Sequence, residues 1–326
     1  MSTVEANPEL SLDEYRGELL GYCYRMLGSA FDAEDAVQET MIRAWRSQSS
    51  FEGRSSVRSW LYKIVTNVCL DMIESRKRRA RPMDLSSQAW QPVEASLAHR
   101  QPEDTWLEPM MDAQITPISA DPADITMGRE SIRLAFVAAL QYLPARQRAV
   151  VILREVLRWK ADEVATLLET SVASVNSALQ RARATLDERG LSAGRSYDPL
   201  DDDQQKLLAE YMAAFEAYDV DRFVKLLHED ATQNMPPFEL WLQGPEDMIK
   251  WMLGPGIGCV GSKLKPLVVN GAPAFAHWKP GPDGKHVPFA IQVLEINEGK
   301  VVGITNFLEP KLFPLWGLPE HPDDDR

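Results

Sequence analysis

Up to Leu227 the apolar residues of the chain recur mostly three and four apart, the spacing that lines one side of an α-helix. Beyond Lys263 they alternate with polar residues and become rich in valine and isoleucine, the pattern of strands. The change of period predicts helical parts first and a sheet last. In residues 9–30 Leu12, Tyr15, Leu19, Leu20, Tyr22, Cys23 and Met26 form the apolar face of a helix that Gly28-Ser29 stops. A second helix starts near Asp32, with acids in its first turn, where the helix dipole favours them. Ala36, Val37, Thr40, Met41 and Trp45 supply its buried stripe, leaving Asp35, Gln38, Glu39, Arg43 and Arg46 outside. After a loop from Phe51 to Val57, a long helix puts Trp60, Leu61, Ile64, Val65, Val68 and Met72 inward, and Lys63, Thr66, Asn67 and Asp71 elsewhere. It ends in Arg76, Lys77, Arg78, Arg79 and Arg81 before Pro82, more cations than a helix C-terminus needs.

The stretch 142–183 carries the most informative pattern. Val150, Leu153 and Leu157 mark one helix, and Val164, Leu167 and Leu168 the next. Ser171 stands where an N-cap belongs, and a third helix follows with Val175 and Leu179 inward. Two helices joined by a tight turn, the second showing polar and basic residues, make a helix-turn-helix. In that motif the first residues of the second helix meet base edges: here Val172, Ala173, Ser174, Asn176 and Ser177. Gln180, Arg181 and Arg183 face outward further along, the arginines placed for phosphates. The bland alternative is a helical hairpin with a solvated face.

Between the helical parts, residues 83–128 hold five prolines, eight acids and little periodicity, which predicts a linker. Trp90 and the run from Trp106 to Met111 interrupt it with apolar groups able to dock on a neighbour. In the last third, residues 204–228 predict one long helix with Leu207, Leu208, Tyr211, Met212, Phe215, Phe223, Leu226 and Leu227 buried. A short strand, a Pro-Pro turn and a short helix at 247–253 precede antiparallel strands, two of them joined by a turn at Asn297-Glu298-Gly299. The expected organisation is multidomain: helical 8–82, linker 83–128, helical 129–190 and an α+β part at 200–316.

Charge changes the picture only when it is divided. The net charge of −13 argues against a nucleic-acid partner. By segment it is 0 for 1–82, −7 for 83–128, +3 for 129–190 and −9 for 191–326, so the helix-turn-helix is the one net-positive part. The chain of 326 residues lacks a run of ~18 apolar residues, so no membrane span is expected. Its polar start lacks the apolar core of a secretory signal. Cys23, Cys69 and Cys259 match neither a disulfide framework nor a metal site, which fits a cytoplasmic protein. No cofactor, metal or catalytic residue is expected. His228 and Asp230, His277 and His286 form no spacing that demands catalysis.

The segments DAEDAVQETMIRAW, FEGRSSVRSWLYKIVTN and YLPARQRAVVILREV, followed by a helix ending in SALQRAR, resemble bacterial sigma factors of the extracytoplasmic-function group over about 10–82 and 129–190. The last third resembles the SnoaL-like branch of the nuclear-transport-factor-2 fold, and the combination, with WLEP in the linker, the sigma-G-like subgroup. The resemblance implies that two all-α sigma domains, joined by a tether, straddle a promoter while bound to core RNA polymerase at its β′ clamp helices and β flap. Asp35, Gln38, Glu39, Arg43 and Arg46 then fall on the polymerase-gripping segment. Arg54, Ser55, Arg58, Trp60, Lys63, Asn67, Arg76, Lys77, Arg78 and Arg79 fall where the −10 element is opened and read, with Trp60 equally well placed to be core. Ser171, Val172, Ala173, Ser174, Asn176, Ser177, Gln180, Arg181 and Arg183 fall on the reader of the −35 element. Two departures stand out. Glu169 occupies a turn position where relatives often have glycine, and Asn176 and Ala178 stand where many have basic residues, which implies weaker −35 binding. The last third implies a built-in regulator, with a cup of Phe238, Trp241, Trp251, Trp278 and Phe289 that either holds a small ligand or only fills the core. Two other readings are a ligand-responsive regulator working without polymerase and a C-terminal hydrolase or cyclase.

Overall fold

The computed structural model describes residues 12–51, 53, 55–74, 78–115, 130–188 and 201–323. Helices α1 (Arg16–Leu27), α2 (Ala30–Ser47) and α3 (Val57–Glu74) form the first module. Every residue of α1 from Leu19 to Leu27 is buried, because α2 and α3 cover one side and later helices the other. Gly28 ends α1 at φ 70°, and a Cβ there would lie 2.7 Å from Leu107. Glycine thus provides both the left-handed turn and the room for the chain that crosses it. Ser29 then caps α2, its side chain accepting from Asp32 N at 3.1 Å.

The inward stripe of α2 is Ala33, Ala36, Val37, Thr40 and Ala44. Ala44 takes the slot expected for Trp45, which is instead 73% exposed. The second module holds α4 (Leu134–Leu140), α5 (Ala145–Val151), a π-helical turn at Ile152–Val156, α6 (Ala161–Leu167) and α7 (Val172–Asp187). The π turn adds a residue to the helix, Leu157 N reaching back to Ile152 O at 2.9 Å. It rotates Trp159 into the core, where its ring lies 4.9 Å from that of Tyr62 in α3.

The two helical modules therefore do not stand apart on a tether. Their buried residues, from Leu19 to Leu186, belong to one continuous apolar cluster. Buried polar groups clasp them further. Arg148 donates to Gln141 Oε1 at 2.7 Å and to Met26 O, at the end of α1, while Arg25 of α1 reaches Ser131 Oγ at 2.6 Å.

Nor does 83–115 behave as a free linker. It is a strap pinned along its length. Leu107 N bonds Ala80 O at 3.0 Å, Trp90 N bonds Trp241 O at 2.9 Å, and Gln101 N bonds Pro237 O at 3.0 Å. Acidic, proline-rich composition is overridden here by a few apolar anchors, Trp106, Leu107 and Met110 being buried.

The expected single helix over 204–228 is broken. Helix α8 (Asp202–Glu216) stops before Tyr218 at φ 53°, α9 (Val220–Val224) follows, and Leu227 already begins β1 (Leu227–Asn234). After β2 (Trp241–Gln243) and α10 (Pro245–Leu253) come β3 (Lys263–Val269), β4 (Ala272–Pro280), β5 (His286–Asn297) and β6 (Lys300–Phe307). The sheet order is β2-β1-β6-β5-β4-β3, antiparallel except for the parallel pair β1–β6. Asn297 pairs with Lys300 across the expected Glu298-Gly299 turn. Strand alternation splits the side chains. Phe275, Leu294 and Ile304 pack with α8 and α9, while Ala274, Ala276, Trp278, Val293 and Phe307 join the core of the two helical modules. One sheet thus serves two cores.

Candidate nucleic-acid interface

Helix α7 has two well-separated sides. Ser171 caps it, its hydroxyl accepting from Ser174 N at 3.1 Å. Val175, Leu179, Ala182 and Leu186 are buried against the module. Ser171, Val172, Ala173, Ser174, Asn176, Ser177, Gln180, Arg181 and Arg183 are all exposed. Arg183 is held by Glu155, with Nε 2.6 Å from Oε1. The turn before the helix keeps its left-handed residue, Glu169 standing at φ 51° where glycine would fit without strain.

The residues expected at the −10 element are divided by the structure. Ser55 and Asn67 are exposed, and Trp60 is half-buried, its ring 4.9 Å from Phe51. Arg58 and Lys63 face the second module. Lys63 Nζ lies 2.8 Å from Glu169 Oε1, in the turn that precedes α7. The Arg58 guanidinium donates to Glu18 at 2.7 Å and stands 5.2 Å from the ring of Trp159. Arg78 stacks 3.9 Å over Tyr142 of the same module. Arg79 corrects the expectation: it is buried at 6% exposure, with Nη2 2.7 Å from Asp32 and Nη1 2.6 Å from Trp106 O. It is a structural cation that knots α2 to the strap. Arg54, Arg76 and Lys77 lie outside the described residues.

On α2, Asp35, Gln38, Arg43 and Arg46 are exposed and Glu39 is half-buried. Arg43 pairs with Glu39 at 2.7 Å and with Asp71 of α3 at 3.6 Å. Ile42 and Trp45, both exposed, extend this face with apolar area that a hydrophobic-stripe reading assigned inward at Trp45 and overlooked at Ile42.

In the C-terminal part, Phe238, Trp251 and Phe289 do line a cavity, but Trp241 and Trp278 do not. Trp278 belongs to the opposite face of the sheet, 5.1 Å from Phe313, and Trp241 Nε1 bonds Ser86 O of the strap at 3.2 Å. His277 is buried beside Ser262 Oγ at 2.8 Å. Burial, with Lys279 nearby, pushes its pKa down to about 3, so it is uncharged at neutral pH. His286 instead meets Gly261 O at 2.8 Å, and His228 Nδ1 accepts from Asp230 N at 3.1 Å. Cys23 and Cys69, far apart in sequence, come together as buried thiols 3.8 Å apart.

A residue that pattern reading missed joins all the parts. Asn270, in the β3–β4 turn at φ 54°, is buried. Its Oδ1 accepts from Met110 N at 3.0 Å, and its Nδ2 donates to Tyr24 Oη and to Ile132 O, each at 2.6 Å. One amide thus touches α1, the strap and the second module.

A helix-turn-helix with an exposed polar face, packed on a three-helix module, is the arrangement expected of a promoter-specificity subunit. Comparison with known proteins agrees: residues 12–79 match Sigma-70 region 2, residues 133–186 match Sigma-70, region 4, and residues 208–304 match the SnoaL-like domain. The chain belongs to the ECF RNA polymerase sigma factors. It is 46% identical over 311 residues to ECF RNA polymerase sigma factor SigG of Mycobacterium tuberculosis, covering 94% of this chain and 83% of that protein. SigJ of the same organism is 28% identical over 311 residues, covering 91% and 90% of the two chains. The crystal structure of SigJ superposes over 96% of this chain and 100% of that one, with TM-score 0.58 and 25% identity. Family membership gives no support to a lone helix-turn-helix regulator working without polymerase. Among the described residues no helix is long and apolar enough to cross a membrane.

Proposed function

We propose that this sigma factor works in the cytoplasm, joining core RNA polymerase to promoter DNA, and that the compact arrangement is its resting form. Asp35, Gln38, Glu39, Arg43 and Arg46 on α2 take the β′ clamp helices, with Ile42 and Trp45 adding the desolvated anchor that such contacts need. The second module takes the β flap. Ser55, Arg58, Trp60, Lys63 and Asn67 handle the −10 element, together with Arg54, Arg76, Lys77 and Arg78. The exposed residues of α7, from Ser171 to Arg183, read the −35 element. The C-terminal domain regulates by holding the modules together.

The observation that carries this reading is the tie between Lys63 and Glu169. It joins the −10 face to the turn beside the −35 reader. Two promoter elements set apart along a duplex cannot both be engaged until the modules part and that tie opens with them.

The test is run-off transcription with core polymerase, combined with energy transfer between dyes on α3 and α7. Core polymerase should lengthen the distance and permit initiation, and Trp45→Ala should weaken polymerase binding about tenfold or more without lowering the melting temperature. Initiation from a complex whose dyes have not moved apart would count against the resting-form reading. Absence of initiation at any promoter would count against the sigma roles assigned to these residues.

A further inference from the structure

The π turn at Ile152–Val156 carries two charged residues to the side of α7. Arg154 bends back on the turn, its Nη1 donating to Trp159 O. Glu155 reaches across to α7 instead. Its Oε1 accepts from Arg183 Nε at 2.6 Å and lies 2.5 Å from Nη2. Both ends of this contact are fixed by other parts of the module. Backbone bonds from Leu157 N to Ile152 O and from Trp159 N to Leu153 O, each 2.9 Å, set the turn. Leu179, Ala182 and Leu186 seat the helix. The Arg183 side chain stays 60% exposed, so it is held without being buried.

The two arginines of α7 are treated differently. Among the described residues the Arg181 side chain has no hydrogen bond or ion pair, whereas Arg183 has Glu155. They also point apart. At about 3.6 residues per turn, positions 181 and 183 stand about 160° apart around the helix axis. Arg183 shares its flank with Asn176, Gln180 and Asp187, which with Arg154 line an open groove beside the π turn. A helix lying in a major groove has a phosphate backbone on either side of it. A guanidinium carries its donors in a fixed fork. Glu155 engages Nε and Nη2 and leaves Nη1 for another acceptor.

We propose that Glu155 is a positioning residue for −35 binding: it orients Arg183 so that Nη1 meets a backbone phosphate on the strand opposite the one that Arg181 meets. The proposal rests on the −35 reading above and adds to it a residue that lies outside α7. Two effects of the carboxylate compete. Holding a long side chain in place reduces the rotamer freedom lost when it grips a phosphate. An exposed pair of this kind is worth up to about fivefold in an equilibrium constant. The same carboxylate repels the phosphate, but on the far side of the guanidinium, at ~7 Å in water, that repulsion is below about threefold. Salt at about 0.2 M screens it further, so positioning wins.

The test uses the full-length chain bound to core polymerase. Its affinity for a duplex carrying the −35 portion of a promoter that supports run-off initiation is measured by fluorescence anisotropy over a salt series. Arg181→Ala and Arg183→Ala should each weaken binding and each flatten the log–log salt slope by about 0.9, the share of one phosphate. Glu155→Ala should weaken binding about threefold at about 0.2 M salt without lowering the melting temperature. Glu155→Gln, which keeps an accepting oxygen, should bind as the parent does or tighter. In the Arg183→Ala background, Glu155→Ala should cause no further loss, because nothing is left to orient. Unchanged or tighter binding by Glu155→Ala in the parent overturns the proposal, since the carboxylate would then only mask the arginine. So does an equal loss in the Arg183→Ala background, or a Glu155→Gln protein as weak as Glu155→Ala. Unaltered affinity and slope in Arg183→Ala overturns it through Arg183 itself; if Arg181→Ala also changes nothing, the −35 reading of α7 falls with it.

Discussion

Arg79 and Glu108 illustrate how little a side chain's type reveals about its surroundings. Arg79 sits in a run of cations, yet it is buried between Asp32 at 2.7 Å and Glu108 at 3.6 Å. Removing one partner of a buried ionic cluster leaves the others uncompensated, at a cost of about 3–5 kcal/mol. Arg79→Ala should therefore destabilise the protein by that order in denaturant unfolding, and a loss within the range of surface substitutions would contradict the assignment. Glu108 is pushed up to about 7, chiefly by burial, against the opposing pull of Arg79. Its folded pKa is raised above the unfolded value. The proton it binds thus stabilises the fold fully below about pH 4.5, and that stabilisation is lost as pH rises through about 7. The rise corresponds to a ceiling on the order of 3 kcal/mol. Glu108→Gln, which keeps the neutral form at every pH, should gain stability relative to the parent between pH 5 and 8. Parallel pH–melting curves for the two proteins would remove the argument.

At the scale of elements, periodicity predicted α1, α2, α3 and α7, with Val175 and Leu179 as inward residues of α7. Ser171 was legible as its cap because a hydroxyl before an apolar-periodic run has a local physical role. Ser171→Ala should lower stability by about 1 kcal/mol, with Ser171→Asp restoring it. Binding to −35 duplex should separate the two effects, since an added negative charge repels phosphate while the cap is restored. Recovery of DNA binding by Ser171→Asp would show that the serine acts only through the helix. Less legible were the breaks. The π turn at Ile152–Val156 and the left-handed Tyr218 interrupt stretches that continue to look helical in their apolar spacing. Neither break is marked by Gly or Pro, the residues that usually announce one.

For the molecule as a whole, the decisive feature is that β4, β5 and β6 bury both faces, one on α8 and α9 and the other on the sigma modules. Asn270 stands at that seam. Asn270→Ala would leave Met110 N and Ile132 O without the partner they share, at roughly 1–3 kcal/mol for each buried group left unpaired, while Tyr24 Oη keeps its bond to Glu108 O at 2.9 Å. The expected outcome is a looser molecule, with a larger radius in X-ray scattering, faster amide exchange at Met110, and more energy-transfer separation between α3 and α7 before polymerase is added. An unchanged radius and unchanged Met110 exchange in the folded variant would mean that the apolar seam holds the domains without it.

Local order determined what the chain could announce in advance. Hydrophobic period, caps and turn residues act over a few positions, so the helical modules, the late sheet and the outward row from Ser171 to Arg183 were readable, as was the family they resemble. Contacts between residues far apart in sequence leave no such trace. The burial of Arg79, the docking of an acidic proline-rich strap, the exposure of Trp45 and the Lys63–Glu169 tie depend on which surfaces meet once the chain has folded. Only the tertiary structure decides that, because an apolar anchor or a paired charge acquires its energy from a partner that sequence distance does not specify.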